Sequence, residues 1–194
     1  PELLSKIFLF PTTSTAFYRY KNGWKKVYRL ELSKEQRQKI FTAFERVFEE
    51  LGYRHPAKTY GPVIEDRGTQ VSFSPYGQEI VSVLGQRGIA VKAAWGAKPW
   101  RMKIAKRLQK YLPGFEVRCG GLSTIDVTRK GIDKAYGLRQ IQKHLKVPIS
   151  QMLFIGDAIF PGGNDYAVTK TKVQYIKVSG PEETKKIISE ILAK

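Results

Sequence analysis

The stretch Met152-Leu153-Phe154-Ile155-Gly156-Asp157-Ala158-Ile159-Phe160-Pro161-Gly162-Gly163-Asn164-Asp165 constrains this chain more than any other. Its first four residues are apolar and read as a short, fully buried strand. Gly156 then frees the backbone, and the first acid, Asp157, follows directly past the strand's carboxyl end. A loop containing Pro161, Gly162 and Gly163 closes on Asn164-Asp165. In open α/β sheets, ligands sit in the crevice outside the carboxyl ends of the strands. Oxygen ligands gathered at such a place suit a hard cation such as Mg²⁺, which takes one or two carboxylates and keeps some waters. The competing reading is an ordinary Asp/Gly turn.

The rest of the composition narrows the class. The 194 residues, 42% of them hydrophobic, suffice for one domain or two small ones. A membrane span needs ~18 consecutive apolar residues, and the longest candidate, Lys6 to Phe10, is only strand-sized. Pro1 to Leu4 carry no basic segment followed by an apolar stretch, so no secretory signal is read there. With Cys119 as the one cysteine, disulfide frameworks and cysteine zinc sites are excluded, and a cytoplasmic location is the default. The net charge of +17 admits nucleic acid or another polyanion as partner. Its densest run, Lys98 to Lys110, is spaced like the basic face of an amphipathic helix and has no nucleic-acid motif beside it. A solvated basic surface, or attraction of phosphorylated small molecules, is therefore favoured over nucleic acid.

Periodicity divides the chain into elements. Residues 5–10 read as a buried strand. The runs at 16–20 and 24–30, joined by Lys21-Asn22-Gly23, read as a hairpin. Ser33 and Gln36 form a capping-box pattern opening a helix whose apolar face is Ile40, Phe41, Phe44, Val47, Phe48 and Leu51, ended by Gly52. From Tyr53 to Val83 the pattern is that of strands, with a hairpin at Gly68-Thr69. Residues 85–97 show no clean period. A helix is expected over about 98–112, strands at 115–119 and 123–127, and a helix over 131–146 that turns Ala135, Leu138, Ile141 and Leu145 inward. A strand at 173–178 and a helix from Pro181, buried through Ile187, Ile188, Ile191 and Leu192, complete the chain. Helix-strand-strand-helix at this end is the alternation of a parallel, Rossmann-like sheet. The fold class is thus α/β, with an inserted α+β lobe: core at 1–31, second lobe at 32–127, core again at 128–194.

Three blocks then carry a resemblance. Gly156-Asp157 through Pro161-Gly162-Gly163-Asn164-Asp165 is the first. Gly120-Gly121-Leu122-Ser123-Thr124-Ile125-Asp126-Val127, followed by Gly131-Ile132-Asp133-Lys134, is the second. Ile64-Glu65-Asp66-Arg67 with Ser74-Pro75-Tyr76-Gly77-Gln78 is the third. Together they resemble the haloacid dehalogenase superfamily, in the branch that holds phosphomannomutase and the related cap-bearing sugar-phosphate phosphatases. The resemblance makes 32–127 a cap domain and implies a Mg²⁺-dependent phosphoryl-transfer enzyme acting on a sugar phosphate. Asp157 becomes a metal ligand, with Asn164 and Asp165 completing or orienting that site. Lys134 becomes the catalytic lysine that neutralises the transferring phosphoryl group. In the cap, Arg67 grips phosphate, Thr124 and Asp126 meet sugar hydroxyls, and Gln78 stands where phosphomannomutases place an arginine. The plain alternatives are an exposed helix lysine for Lys134, a surface arginine for Arg67, and turn formers for Thr124 and Asp126.

The departures from the family are as informative. Its nucleophile is the first aspartate of an Asp-x-Asp-Gly-Thr motif on the first core strand. This sequence has no aspartate before Asp66 and no Asp-x-Asp anywhere. The resemblance implies that Ile7 to Phe10 is the third core strand, that the core is incomplete, and that covalent catalysis is not available to these residues alone. A missing central strand leaves apolar edges, so a homodimer or aggregate is expected. A second family arginine position holds Gly85, with Arg87 off register, which favours a phosphatase over a mutase. The rival function is a non-catalytic relative binding RNA or another polyanion through its basic surface.

Overall fold

The structure, a computed structural model, describes residues 2–193. They form two compact units, one ending at Ile132 and one beginning at Asp133.

The first unit opens with a short antiparallel sheet in the order β1-β2-β3: β1 (Phe8–Leu9), β2 (Ala16–Tyr20) and β3 (Trp24–Arg29). The expected hairpin forms because Asn22 (φ 50°) and Gly23 (φ 113°) supply the positive dihedrals that match strand twist. The expected buried strand over 5–10 is corrected: Leu3–Lys6 is a 3₁₀ turn and only Phe8 and Leu9 pair, at the edge of the hairpin. An edge position leaves one side of a strand in water, and Ile7 and Leu9 are each 42% exposed. Between β1 and β2 lies α1 (Pro11–Ser14), whose Thr12 (φ 49°, ψ 54°) and Thr13 (φ 57°, ψ 39°) are left-handed.

Helix α2 (Lys34–Leu51) begins as its capping box requires, with the Gln36 amide N–H donating to the Ser33 hydroxyl and the Ser33 N–H to the Gln36 side chain. It ends at Gly52 in the left-handed conformation (φ 61°). A four-stranded antiparallel sheet follows in the order β4-β5-β7-β6: β4 (Ile64–Asp66), β5 (Val71–Phe73), β7 (Thr124–Arg129) and β6 (Phe115–Gly120). Period-2 alternation sends Val71, Phe73, Ile125 and Val127 to one face, where they are fully buried. Phe44, Val47 and Phe48 of α2 and Ile104 and Leu108 of α5 (Trp100–Tyr111) join them in one core.

The stretch Tyr53 to Val83 is not all strand. Residues 80–84 form α3 (Ile80–Leu84), and the patternless 85–97 form α4 (Gln86–Gly96). The β-branched run at 80–83 imitates a strand, but only Ile80 of α3 is buried, as a helical turn resting one residue on the core requires. Helix α4 buries only Gly88 and Trp95, seven residues or about two turns apart. Gly88 is obligatory there, since a Cβ would come within 2.5 Å of the Ile80 carbonyl oxygen.

The second unit contains α6 (Lys134–Leu145), β8 (Leu153–Gly156), β9 (Gln174–Lys177) and α7 (Pro181–Leu192), with β8 and β9 parallel. Asp133 caps α6 by accepting from the Tyr136 N–H at 2.8 Å. Leu138, Val168 and Val173 are its buried centre. Three expectations are corrected here. Strand β8 is not fully buried, Leu153 being 45% exposed, and α7 has no buried residue among those described, Ile188 being 46% and Leu192 81% exposed. The inward set of α6 is also shorter than expected, with Leu145 48% exposed. A parallel pair normally has both faces and both edges covered; among the described residues, β8 and β9 pair only with each other.

The left-handed threonines carry strain, because a Cβ in that region costs roughly 1–2 kcal/mol per residue. Thr13→Gly is expected to raise unfolding stability by about 1 kcal/mol in a denaturant titration; a lower midpoint would show that the turn is not strained.

Candidate functional site

In the second unit the site is built around Asp165, whose side chain is 1% exposed. Its Oδ2 accepts the Ala158 N–H at 3.1 Å, and its Oδ1 is ion-paired with the Lys134 ammonium, which the first turn of α6 supplies. The glycines explain how the loop closes so tightly. A Cβ on Gly156 would lie 2.5 Å from Asp165 Oδ2, and one on Gly163 would lie 2.1 Å from the Ala158 carbonyl oxygen. Lys134, Asp157 and Asp165 share one hollow of about 410 Å³, walled also by Ile155, Thr184 and Lys185. Asn164 does not line it. Asp157 is exposed and Asp165 buried, so one carboxylate is free to meet a cation while the other is fixed in place. This all-oxygen pair fits a hard cation that fills its remaining positions with water. Among the described residues no group of three or more His, Cys, Asp or Glu side chains gathers.

In the first unit, the alternation that sends four apolar residues to the core puts polar ones on the opposite face. Register places Glu65 opposite Ser72, Ser72 opposite Asp126, and Asp126 opposite Arg118, in one row across the sheet. The Ser72 hydroxyl donates to Asp126 Oδ1 at 2.7 Å. Arg67 is held from two sides: its Nε donates to Glu65 at 2.6 Å and its Nη2 to Gln78 Oε1 at 3.3 Å. Gln78 in turn donates to the Ser72 carbonyl at 3.2 Å. Arg67, Gln78 and Asp126 therefore belong to one network. Thr124 is spent differently, its hydroxyl donating to the Gly120 carbonyl within the turn.

Two cations at this face escaped the sequence reading, Lys92 and Arg101. Burial lowers the Lys92 pKa, the neighbouring Arg67 lowers it further, and Asp126 opposes both. Arg101 donates to the Leu122 carbonyl at 3.0 Å, while its Nε is buried without a partner. Lys92 was hidden because it lies in the segment with no apolar period. Arg101 left a signal: a cation in the first turn of α5 opposes the helix dipole, so its side chain has another task. Burial raises the Asp126 pKa, and Ser72, Arg67, Arg101 and Lys92 each draw it back.

The sequence and the fold match known proteins. A model of the eukaryotic phosphomannomutase family matches residues 8–194. The chain belongs to the eukaryotic phosphomannomutase family. The phosphomannomutase of Drosophila melanogaster is 35% identical over 95 residues, which are 47% of this chain and 37% of that protein. Phosphomannomutase 1 of Dictyostelium discoideum is 27% identical over 136 residues, 69% of this chain and 53% of that protein. The chain thus spans about half the length, or less, of these phosphomannomutases. Its fold is that of the haloacid dehalogenase superfamily. An N-terminally truncated IMP-nucleotidase of Plasmodium falciparum superposes with a TM-score of 0.66 at 18% identity, covering 97% of this chain and 50% of that one. A subclass IIB sugar phosphatase superposes with a TM-score of 0.57 at 16% identity, covering 92% and 66%. No described helix is long and apolar enough to cross a membrane.

The raised Asp126 pKa fixes a sign. A carboxyl that protonates more readily when folded contributes stability at low pH and loses it as pH rises from the ordinary 3.8 through its own higher value. Comparing wild type with Asp126→Asn across that range, the wild type is expected to lose ground as pH rises, and the Asp126 carboxyl to titrate above 3.8 by NMR. A constant difference with a normal titration would refute this.

Proposed function

We propose that this chain carries the cation- and lysine-bearing part of a Mg²⁺-dependent phosphoryl-transfer site, and that its activity class is sugar-phosphate phosphatase. The observation that carries the reading is the shared hollow of Lys134, Asp157 and Asp165 at the carboxyl end of β8. Phosphoryl transfer asks a protein mainly for positioning and for stabilisation of spreading negative charge. Asp157 and Asp165 would hold Mg²⁺, which supplies charge neutralisation at phosphoryl oxygens. Lys134 adds a second positive charge, aimed by its ion pair with buried Asp165. Asn164, off the wall of the hollow, would act by orienting the loop.

The polar face of the four-stranded sheet is read as a surface for phosphate and sugar hydroxyls. Arg67, Lys92 and Arg101 gather around Asp126, so this face carries surplus positive charge suited to a phosphate dianion. Asp126 accepts hydrogen bonds from hydroxyls, and Thr124 is left a minor part because its hydroxyl is already committed. Gln78 favours phosphatase over mutase chemistry. It spends its amide on fixing Arg67 and adds no charge, whereas a mutase must grip a bisphosphate in two orientations. In this reading residues 1–31 and 128–194 are core and 32–127 are cap.

The sequence holds no Asp-x-Asp, and the reading therefore places the attacking carboxylate outside these 194 residues. The exposed Leu153, Tyr175, Ile188 and Leu192 favour self-association. Calorimetric titration is expected to show Mg²⁺ binding that Asp157→Asn weakens by roughly tenfold or more, with no release of phosphate from mannose 6-phosphate. Equal Mg²⁺ binding by both proteins would remove the proposed metal site. Mg²⁺-dependent phosphate release by this chain would show that the attacking group is present.

A further inference from the structure

The β1-β2-β3 sheet of the first unit carries a surface that the sugar-phosphate reading does not use. Register divides its side chains between two faces. On one of them Phe17 is fully buried, stacked on Phe10 at 4.4 Å and edge-on to Phe8 at 5.5 Å and Tyr28 at 5.7 Å. The Tyr28 hydroxyl donates to the Ser14 carbonyl at 3.0 Å and the Leu30 N–H to the Thr15 carbonyl at 2.8 Å, which fastens the hairpin to the turn before it. The opposite face is open. Leu9, Tyr18 and Lys26 stand side by side across the three strands, and Tyr20 and Trp24 form the next cross-strand pair. Trp24 is 43% and Leu9 42% exposed, Lys26 is exposed, and Tyr18 and Tyr20 are half-buried. Tyr20 and Trp24 meet edge-to-face with ring centres 5.6 Å apart, a geometry in which one ring keeps both of its faces clear of the other.

Charge and rings together say what kind of partner. From Leu3 to Leu30 the chain has no Asp or Glu. Arg29 is taken by Glu31 at 3.2 Å, and Arg19 lies over the Phe8 ring at 4.8 Å on the packed face. Lys21 at the hairpin tip and Lys25 and Lys26 on β3 remain, all exposed, bordering the rings. A polyanion without flat groups would use the lysines and ignore the aromatic side chains. A lipid surface would draw the rings inward, but it would have to take with them Lys26, which neighbours Tyr18 across the sheet and Trp24 along the strand. A single-stranded nucleic acid uses both features, its bases stacking on aromatic faces and its phosphates meeting the cations. A duplex keeps its bases stacked on one another and gains nothing from the rings.

We propose that this open sheet face binds single-stranded nucleic acid, with bases stacked on Trp24 and the Tyr18 and Tyr20 rings and phosphates on Lys21, Lys25 and Lys26. The surface uses no residue of the sugar-phosphate reading and stands without it. Its test is a titration of the whole chain with a labelled oligothymidylate of about 12 nucleotides, followed by anisotropy and by tryptophan emission. An oligouridylate and a duplex of equal length are separate probes. Saturable binding is expected, tighter for either single strand than for the duplex, with quenching of the emission. Trp24→Ala is expected to weaken it about tenfold, within the worth of one base–aromatic stack. Trp24→Phe is expected to keep most of the affinity and lose the quenching, which separates stacking from damage to the hairpin. Lys26→Ala is expected to flatten the salt dependence of binding, because a phosphate contact is lost. Lys106→Ala, in the basic run of α5, should bind as wild type does. Equal affinity for the duplex, wild-type binding by Trp24→Ala, or an emission change on phosphatidylserine vesicles without oligonucleotide binding would each overturn the proposal.

Discussion

A single buried carboxylate, Asp165, dictates the geometry of the second unit. A charge removed from water must be compensated on every side, and each compensation here fixes a different piece of chain. The Ala158 N–H pins the start of the loop, and the Lys134 ammonium ties in the first turn of α6. Gly156 and Gly163 are glycine because any side chain would push the loop off that carboxylate or off the Ala158 carbonyl. The loop that looks permissive in sequence is thus held tightly, and Asp157 is presented at its mouth by a rigid support.

The first unit is organised by alternation. Sending Val71, Phe73, Ile125 and Val127 into the aromatic core forces Ser72 and Asp126 onto the other face. Several polar groups on that face bond one another in a chain that reaches the strained turn. The Thr15 hydroxyl donates to Thr69 Oγ1 at 2.7 Å, and Thr13 donates to Gln70 Oε1 at 3.4 Å. Gln70 donates to the Ser72 hydroxyl at 2.7 Å, and Ser72 to Asp126. The left-handed conformation of Thr12 and Thr13 persists because this network holds both ends of the turn. Strain, polar face and carboxylate are therefore one connected feature of the unit.

Much of this was legible before any coordinates. The capping box at Ser33, the Asn22-Gly23 hairpin and the glycine-bearing loop at 156–165 are local chemistry, and local chemistry is written locally. The part played by Gln78 in bridging Arg67 and Ser72 was not legible, although the three residues are close in sequence, because it depends on how the turn after β5 folds back. Helix α4 was not legible, because a helix that buries only Gly88 and Trp95 carries no amphipathic stripe. Lys92 was lost with it. The buried faces expected for β8 and α7 followed from their apolar residues, yet apolarity states only that a face seeks a partner, not that the described residues provide one. Tyr53 read as a strand residue, whereas the left-handed Gly52 turns its ring into the aromatic core.

The dependence on Asp165 is most directly tested by a double-mutant cycle on unfolding free energy with Lys134→Met, Asp165→Asn and the combination. If the ion pair organises the loop, Lys134→Met alone costs about 3 kcal/mol, the low end for breaking a buried pair because the lysine is partly solvated. The double variant then recovers much of that loss, since no uncompensated charge remains. Purely additive costs, with the double variant losing the sum of the two singles, would contradict the account.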